Sequence, residues 1–376
     1  MPKPTQEIQR LKRFSTPQAG RYEKLRLDKN EHVSGFSQDI ISKLIGDISP
    51  HFLAAYPEPS RLYSKIARMH RVPESHILLT AGSEMAIRYA FECYLNRRSE
   101  VVFLDPSFAM FEVFALMRGA TPVKVPFFSD LSLPVETILN KIGTKTKLIA
   151  IANPNNPTGT VLRESDLIQI AEKSASVDAL LIIDEAYYYF YKKTMIRHLN
   201  RFKNLLVTRT FSKACGLASI RLGYAVGHPE VISMISRLQP IDHCNAFALK
   251  IGEALLDHED LIWKYADAVS VGKVLVMQTL EELGFYAPPT EANFLLIDLK
   301  TAEFKARLIA ACEKNGVLIG THVRLPFDNQ FIRITLGPVQ EMKQFLRVFR
   351  SIVKGETTRY SESSRRCSKP LPHKNF

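Results

Sequence analysis

The chain has 376 residues, 46% of them apolar and 23% charged, which is long enough for two domains and too apolar for a disordered, collagen-like or disulfide-scaffold protein. Five cysteines, widely spaced and without a C-x-x-C pair, point to free thiols and against a zinc site. The net charge of +12 gathers at the ends, with eight Lys/Arg against three Asp/Glu in residues 1–30 and five against two in residues 355–376, so it reads as solvated tails; a docking site for an anionic partner is the alternative.

The first residues, MPKPTQEIQRLKRF, lack the apolar core of a secretory leader, and no later run approaches the roughly 18 apolar residues of a membrane span; a cytoplasmic protein without membrane contact is expected. Residues 1–45 hold one short apolar run at 25–27 and no long periodic segment, so they are expected to pack on the smaller domain. Residues 46–260 form the expected large domain. Within it, strands are predicted at 77–80, 101–104, 121–126, 147–152, 179–184, 205–208 and 223–226, alternating with segments of helical period. LIAIA and LLIID are apolar at consecutive positions, the mark of strands buried on both faces, so the fold class is α/β with a mostly parallel central sheet and helices on both faces. Residues 261–354 change texture, with a long helix at 261–283 and strands at 293–299 and 331–335, and read as a smaller α+β domain. Residues 355–376, rich in Ser, Arg, Lys and Pro, are expected to form a disordered basic tail.

Ligands of an open parallel sheet sit at the carboxyl ends of the strands. After 77–80 come Gly82, Ser83 and Glu84 and then a helix, an N-cap at the least and an anion site at the most. After 147–152 comes Asn153-Pro154-Asn155-Asn156-Pro157-Thr158-Gly159-Thr160, a turn stiffened by two prolines that either connects or presents the Asn156 amide. After 179–183 come Asp184 and Tyr187. A carboxylate in that position is buried and needs a cation or several hydrogen bonds; a magnesium role is set aside because no G-x-x-x-x-G-K-[ST] loop accompanies it. After 205–208 come Thr210, Ser212 and Lys213, with Arg221 eight residues on. An isolated lysine is ordinarily a surface residue, but a neighbouring arginine can lower its amine pKa toward a nucleophile's. A pyridine ring bearing a phosphate, a phenolic oxygen and an aldehyde satisfies all four strand ends, which makes pyridoxal phosphate the expected cofactor.

The motifs LDKNE (27–31), AYPEP (55–59), AGSE (81–84), DPSF (105–108), NPNNPTGT (153–160), DEAY (184–187), TFSKACGLASIRLGY (210–224) and FIRITLG (331–337), in this order, resemble the class I/II pyridoxal-phosphate aminotransferases, most closely the histidinol-phosphate aminotransferase branch. The resemblance spans about residues 22–350 and implies a fold type I transferase acting on an amino donor and a keto-acid acceptor. It implies that Lys213 bonds the cofactor aldehyde and shuttles the proton, that Asp184 keeps the ring nitrogen protonated, and that Phe108 stacks on the ring. Gly82, Ser83, Glu84, Asn156, Tyr187, Thr210, Ser212 and Arg221 would complete the cofactor site. Tyr56 would reach the cofactor phosphate of a second subunit, giving a homodimer, and Arg333 would grip the substrate carboxylate, with Asn30, Asn156 and Arg324 nearby.

Three positions depart from the branch. Thr16-Pro17-Gln18-Ala19-Gly20 lacks the tyrosine that precedes the family's glycine, Gly320 stands where an arginine holds the substrate phosphate, and the family's N-E-N reads Asn30-Glu31-His32. Histidinol phosphate is therefore not carried over as the substrate. The same residues would serve a decarboxylase of a phosphorylated amino acid, if the pocket turned the carboxylate perpendicular to the ring. A cofactor-binding regulator without catalysis is the third reading, weakened because residues 1–25 are too short for a separate DNA-binding domain; no nucleic-acid partner is expected.

Overall fold

The structure, a computed structural model, describes residues 2–9, 11, 20–321, 325 and 330–367, with side chains in the last segment as far as residue 355. Its centre is a seven-stranded sheet of β2 (Ile77–Thr80), β3 (Glu100–Asp105), β4 (Thr121–Pro126), β5 (Thr146–Ala152), β6 (Leu180–Asp184), β7 (Leu205–Thr210) and β8 (Gly223–Gly227), in the spatial order 2-8-7-6-5-3-4. Every pair is parallel except those made by β8, which runs against both β2 and β7.

The consecutive apolar runs are explained by the two cores they feed. Leu181 and Ile183 of β6 and Ile149 and Ile151 of β5 enter one apolar cluster, while Leu180, Ile182, Leu148 and Ala150 enter another on the opposite face. Helices Ser60–His70, Glu164–Ser176 and Ala246–Asp257 cover the first face, through Leu62, Leu167, Ile170 and Leu249. Ser83–Tyr94, Met110–Met117 and Pro229–Ser236 cover the second, through Ile87, Phe91, Phe111 and Ile232.

A third cluster belongs to the carboxyl-terminal third. There β9 (Phe294–Asp298) pairs antiparallel with β11 (Phe331–Thr335), β10 (Val317–Ile319) pairs parallel with β1 (Leu25–Leu27), and a bridge from Gly320 to Arg333 joins the two ribbons. The long helix Glu259–Glu282 serves both halves: Ile262 and Ala266 lie in the first core, Val276 and Leu280 in the third. At Gly272 it approaches the backbone after β11 so closely that a Cβ would stand 1.9 Å from the Gly337 carbonyl oxygen. Among the described residues, no helix is long and apolar enough to cross a membrane.

The two ends of the chain pack as follows. Residues 1–45 do not pack only on the smaller part: β1 joins β10 and Leu27 lies in the third cluster, but Leu44, from helix Gln38–Ile45, lies in the first. The division follows from amphipathicity, since that helix has its own apolar face to bury. The last helix runs Val339–Cys367. No proline interrupts the chain between Pro338 and Pro370. Residues 368–376 lie outside the described residues.

Candidate active site

The carboxyl ends of β5, β6 and β7 and the loop after β2 converge, and the side chains singled out in the sequence meet there. At one corner, helix Ser83–Tyr94 begins at Gly82 without a side-chain cap, at the positive end of the helix dipole; the Met85 N–H of its first turn donates to the Gly82 carbonyl at 3.1 Å. Gly82, at φ +85°, has Arg221 against it: a Cβ would stand 2.8 Å from Arg221 Nη2. Gly223 likewise admits the backbone of Ser83, whose nitrogen would lie 2.3 Å from an added Cβ. Arg221 donates to Ser212 Oγ at 3.2 Å, and Thr210 Oγ1 accepts from the Ser212 N–H at 3.1 Å. Helix end, guanidinium and hydroxyls are together groups that could hold a phosphate, and a Cβ at position 82 would intrude on them. Glu84 is half-buried as the second residue of that helix.

Asp184 ends β6 and is buried. Its Oδ1 accepts from Thr208 Oγ1 at 2.9 Å, and no cation among the described residues pairs with it. Burial pushes its pKa up to about 6, against the hydrogen bond from Thr208. An ionised carboxylate so placed suits a protonated ring nitrogen. Phe108 follows β3 and is half-buried, edge-on to Phe111 at 5.6 Å.

Lys213 lies in the loop after β7. Its Nζ donates to the Lys29 carbonyl at 2.9 Å, and burial, then the charge of Arg333, lower its amine to about 8. Near that pH a large share of the amine is neutral and nucleophilic. Tyr187 is buried, its hydroxyl pushed up to about 12 by desolvation, so it is a neutral phenol. It accepts from Asn30 Nδ2 at 2.9 Å and Asn156 Nδ2 at 3.1 Å, which occupies its lone pairs and frees its own proton to donate. Arg333, on β11, donates through Nη1 to Asn156 Oδ1 at 2.6 Å and through Nη2 to the Asp28 carbonyl at 3.0 Å. Its Nε and the Asn30 Oδ1 are buried without partners, polar atoms of the kind a ligand satisfies.

Not every expected residue joins this constellation. Tyr56 is 82% exposed on the outer surface, ahead of helix Ser60–His70. Arg324 and Thr16–Ala19 lie outside the described residues. The sequence reading passed over Thr208, Thr335, which accepts from the Asn30 N–H at 2.9 Å, and Asn293, which donates to the Asn30 carbonyl at 3.2 Å. No local pattern marks them, because each acts on a residue from a different part of the chain.

The family model for aminotransferases of class I and II matches residues 41–349. The chain is 31% identical to histidinol-phosphate aminotransferase 3 of Mesorhizobium japonicum over 328 residues, 86% of each chain. Among solved structures, histidinol-phosphate aminotransferase of Sinorhizobium meliloti in complex with pyridoxal-5'-phosphate has the same fold, with a TM-score of 0.84 and 21% identity over 94% of this chain and 98% of that one. L-threonine-O-3-phosphate decarboxylase of Porphyromonas gingivalis has it too, with a TM-score of 0.75 and 21% identity over 88% of this chain and 99% of that one. An uncapped helix end beside Arg221, a buried acid and a lysine of lowered pKa thus occur in a chain that belongs to the class I and II aminotransferases, the pyridoxal-phosphate-dependent enzymes of fold type I.

Proposed function

We propose that this aminotransferase takes the amino group from an amino acid or an amino-acid-like donor, phosphorylated or not, and passes it to a 2-keto acid, as a cytoplasmic homodimer. The observation that carries this reading is the placement of Arg333 and Lys213 on consecutive carbonyls, those of Asp28 and Lys29. A substrate carboxylate taken by Arg333 would bring its α-carbon to the Lys213 amine.

In this reading Gly82, Ser83, Glu84 and Arg221, with Ser212 and Thr210, would hold the cofactor phosphate. Phe108 would carry the ring, Asp184 would face its nitrogen, and Asn156 and Tyr187 would donate to its phenolic oxygen. When bound, the cofactor draws into its ring the electron pair left by the departing α-proton. Lys213, held by the Lys29 carbonyl, removes that proton and later returns one. Asp184, an anion near neutral pH, keeps the ring nitrogen protonated. Arg333 would hold the carboxylate, and transamination requires that it do so with the C–H bond, and not the bond to the carboxylate, perpendicular to the ring.

Tyr56 has Leu53, 68% exposed, close by in the chain, and Phe52 of the same segment meets the half-exposed Phe247 ring at 5.2 Å. This apolar surface supports a dimer in which each Tyr56 serves the other subunit's phosphate. The test is a half-reaction screen of the cofactor-loaded enzyme against amino acids, amino alcohol phosphates and histidinol phosphate. Conversion of the cofactor to its amine form with release of a keto product is expected. Carbon dioxide release without that conversion would overturn transamination in favour of decarboxylation, and light scattering giving a monomer would remove the dimer.

A further inference from the structure

Three consecutive residues near the amino terminus hold three groups of the active site that come from distant parts of the chain. The Asp28 carbonyl accepts from Arg333, the Lys29 carbonyl from Lys213, and the Asn30 side chain donates to the Tyr187 hydroxyl. The last of them, Asn30, is only 1% exposed and at φ +57°, in the left-handed region that most side chains avoid and that asparagine tolerates best among those with a Cβ. Both of its backbone polar groups are fixed, the N–H by Thr335 Oγ1 at 2.9 Å and the carbonyl by Asn293 Nδ2 at 3.2 Å. Beyond it, Arg21 bonds both Asp28 and Glu31, and Arg26 bonds Glu31 at 3.0 Å, which anchors the segment on each side.

A left-handed residue reverses the chain locally, so the carbonyl before it and the side chain upon it can reach two different partners. Resting on the cofactor placement given above, we propose that Asn30 is a positioning residue of the transamination: its backbone turns the Lys29 carbonyl onto the Lys213 amine, while its amide holds the Tyr187 hydroxyl. One residue thereby registers the group that carries the proton against the group that faces the cofactor's phenolic oxygen. The amide N–H directed into the Tyr187 oxygen also polarises that phenol, which strengthens its donation to the next oxygen.

The experiment compares wild type, Asn30→Gly and Asn30→Asp as cofactor-loaded enzymes, by the pH midpoint of visible absorbance and by kcat and KM. In parallel, Lys213 of the cofactor-free proteins is labelled with fluorodinitrobenzene across pH and read by peptide mass spectrometry. Glycine keeps the left-handed backbone and deletes only the amide, so Lys213 labelling should match wild type. The absorbance midpoint should rise by about half a pH unit or more and kcat fall by about tenfold, with KM for the amino donor within about threefold, the loss of one polarising hydrogen bond. Aspartate keeps the shape but must accept from Tyr187, and should move the midpoint further in the same direction. Midpoints and kcat unchanged in both variants would overturn the proposal. A wild-type protein that borohydride cannot fix to its cofactor would overturn the reading of the site and this inference with it, whereas fixation with unmoved variants overturns this inference alone.

Discussion

Thr208 stands directly opposite Asp184 on the neighbouring parallel strand, and its hydroxyl donates to the Asp184 carboxylate at 2.9 Å. The hydrogen bond favours the charged form of an acid that burial pushes the other way. Thr208→Val keeps the shape and removes the donor, so it should raise the Asp184 pKa further. We expect cofactor-free Thr208→Val to lose about 1.5–3 kcal/mol at pH 8 and much less at pH 4, where Asp184 is protonated, as read from urea unfolding at the two pH values.

Asp184 itself gives a prediction of opposite sign. Its folded pKa, about 6, lies above the usual carboxylate value, so the folded state holds its proton longer than the unfolded chain does. The stability this contributes is present at pH 4 and is lost as pH rises through 6, a fall of about 3 kcal/mol in the cofactor-free protein. Asp184→Asn should abolish that fall and leave the cofactor-free variant more stable than wild type at pH 8, while its affinity for the cofactor drops. Urea midpoints against pH, together with cofactor titration, check both halves.

Lys213→Ala should abolish borohydride fixation of the cofactor and reduce kcat by a factor on the order of 10³ or more, since it removes nucleophile and base together. In wild type, the rate of cofactor uptake should climb with pH through about 8, following the neutral amine.

Arg333 contributes in two ways that one variant separates. Its charge helps to depress the Lys213 amine, and in the proposed reading its guanidinium takes the substrate carboxylate. Arg333→Gln should shift the pH profile of cofactor uptake upward and raise KM for a carboxylate-bearing donor by about 30-fold or more, as expected for a lost charged hydrogen-bond pair. Stopped-flow uptake and steady-state kinetics read the two effects independently.

Gly82→Ala meets two obstacles: a φ of +85° and Arg221 Nη2 at 2.8 Å from the new Cβ. A cost of about 1–3 kcal/mol in stability is expected, with weakened cofactor binding as Arg221 is displaced. Thermal melts with and without cofactor would report the two losses as separate shifts.

The amino-acid sequence by itself determined the sheet and the chemistry at its edge. Runs such as LLIID announce strands buried on both faces, and an open parallel sheet delivers its ligands to the residues just after them, so Gly82, Asn156, Asp184 and Lys213 could be read as one site before any coordinates. Only the tertiary structure decided what those residues rest upon. Thr208 reaches Asp184 through strand register, Asn30 reaches Tyr187 across 157 residues of chain, and Arg333 meets Asn156 across 177. The reversed direction of β8 and the split packing of residues 1–45 belong to the same class. The physical reason is range: hydrophobic period and turn chemistry act over a few residues and leave their mark locally, whereas a hydrogen bond between distant segments exists only once the core has fixed their relative position.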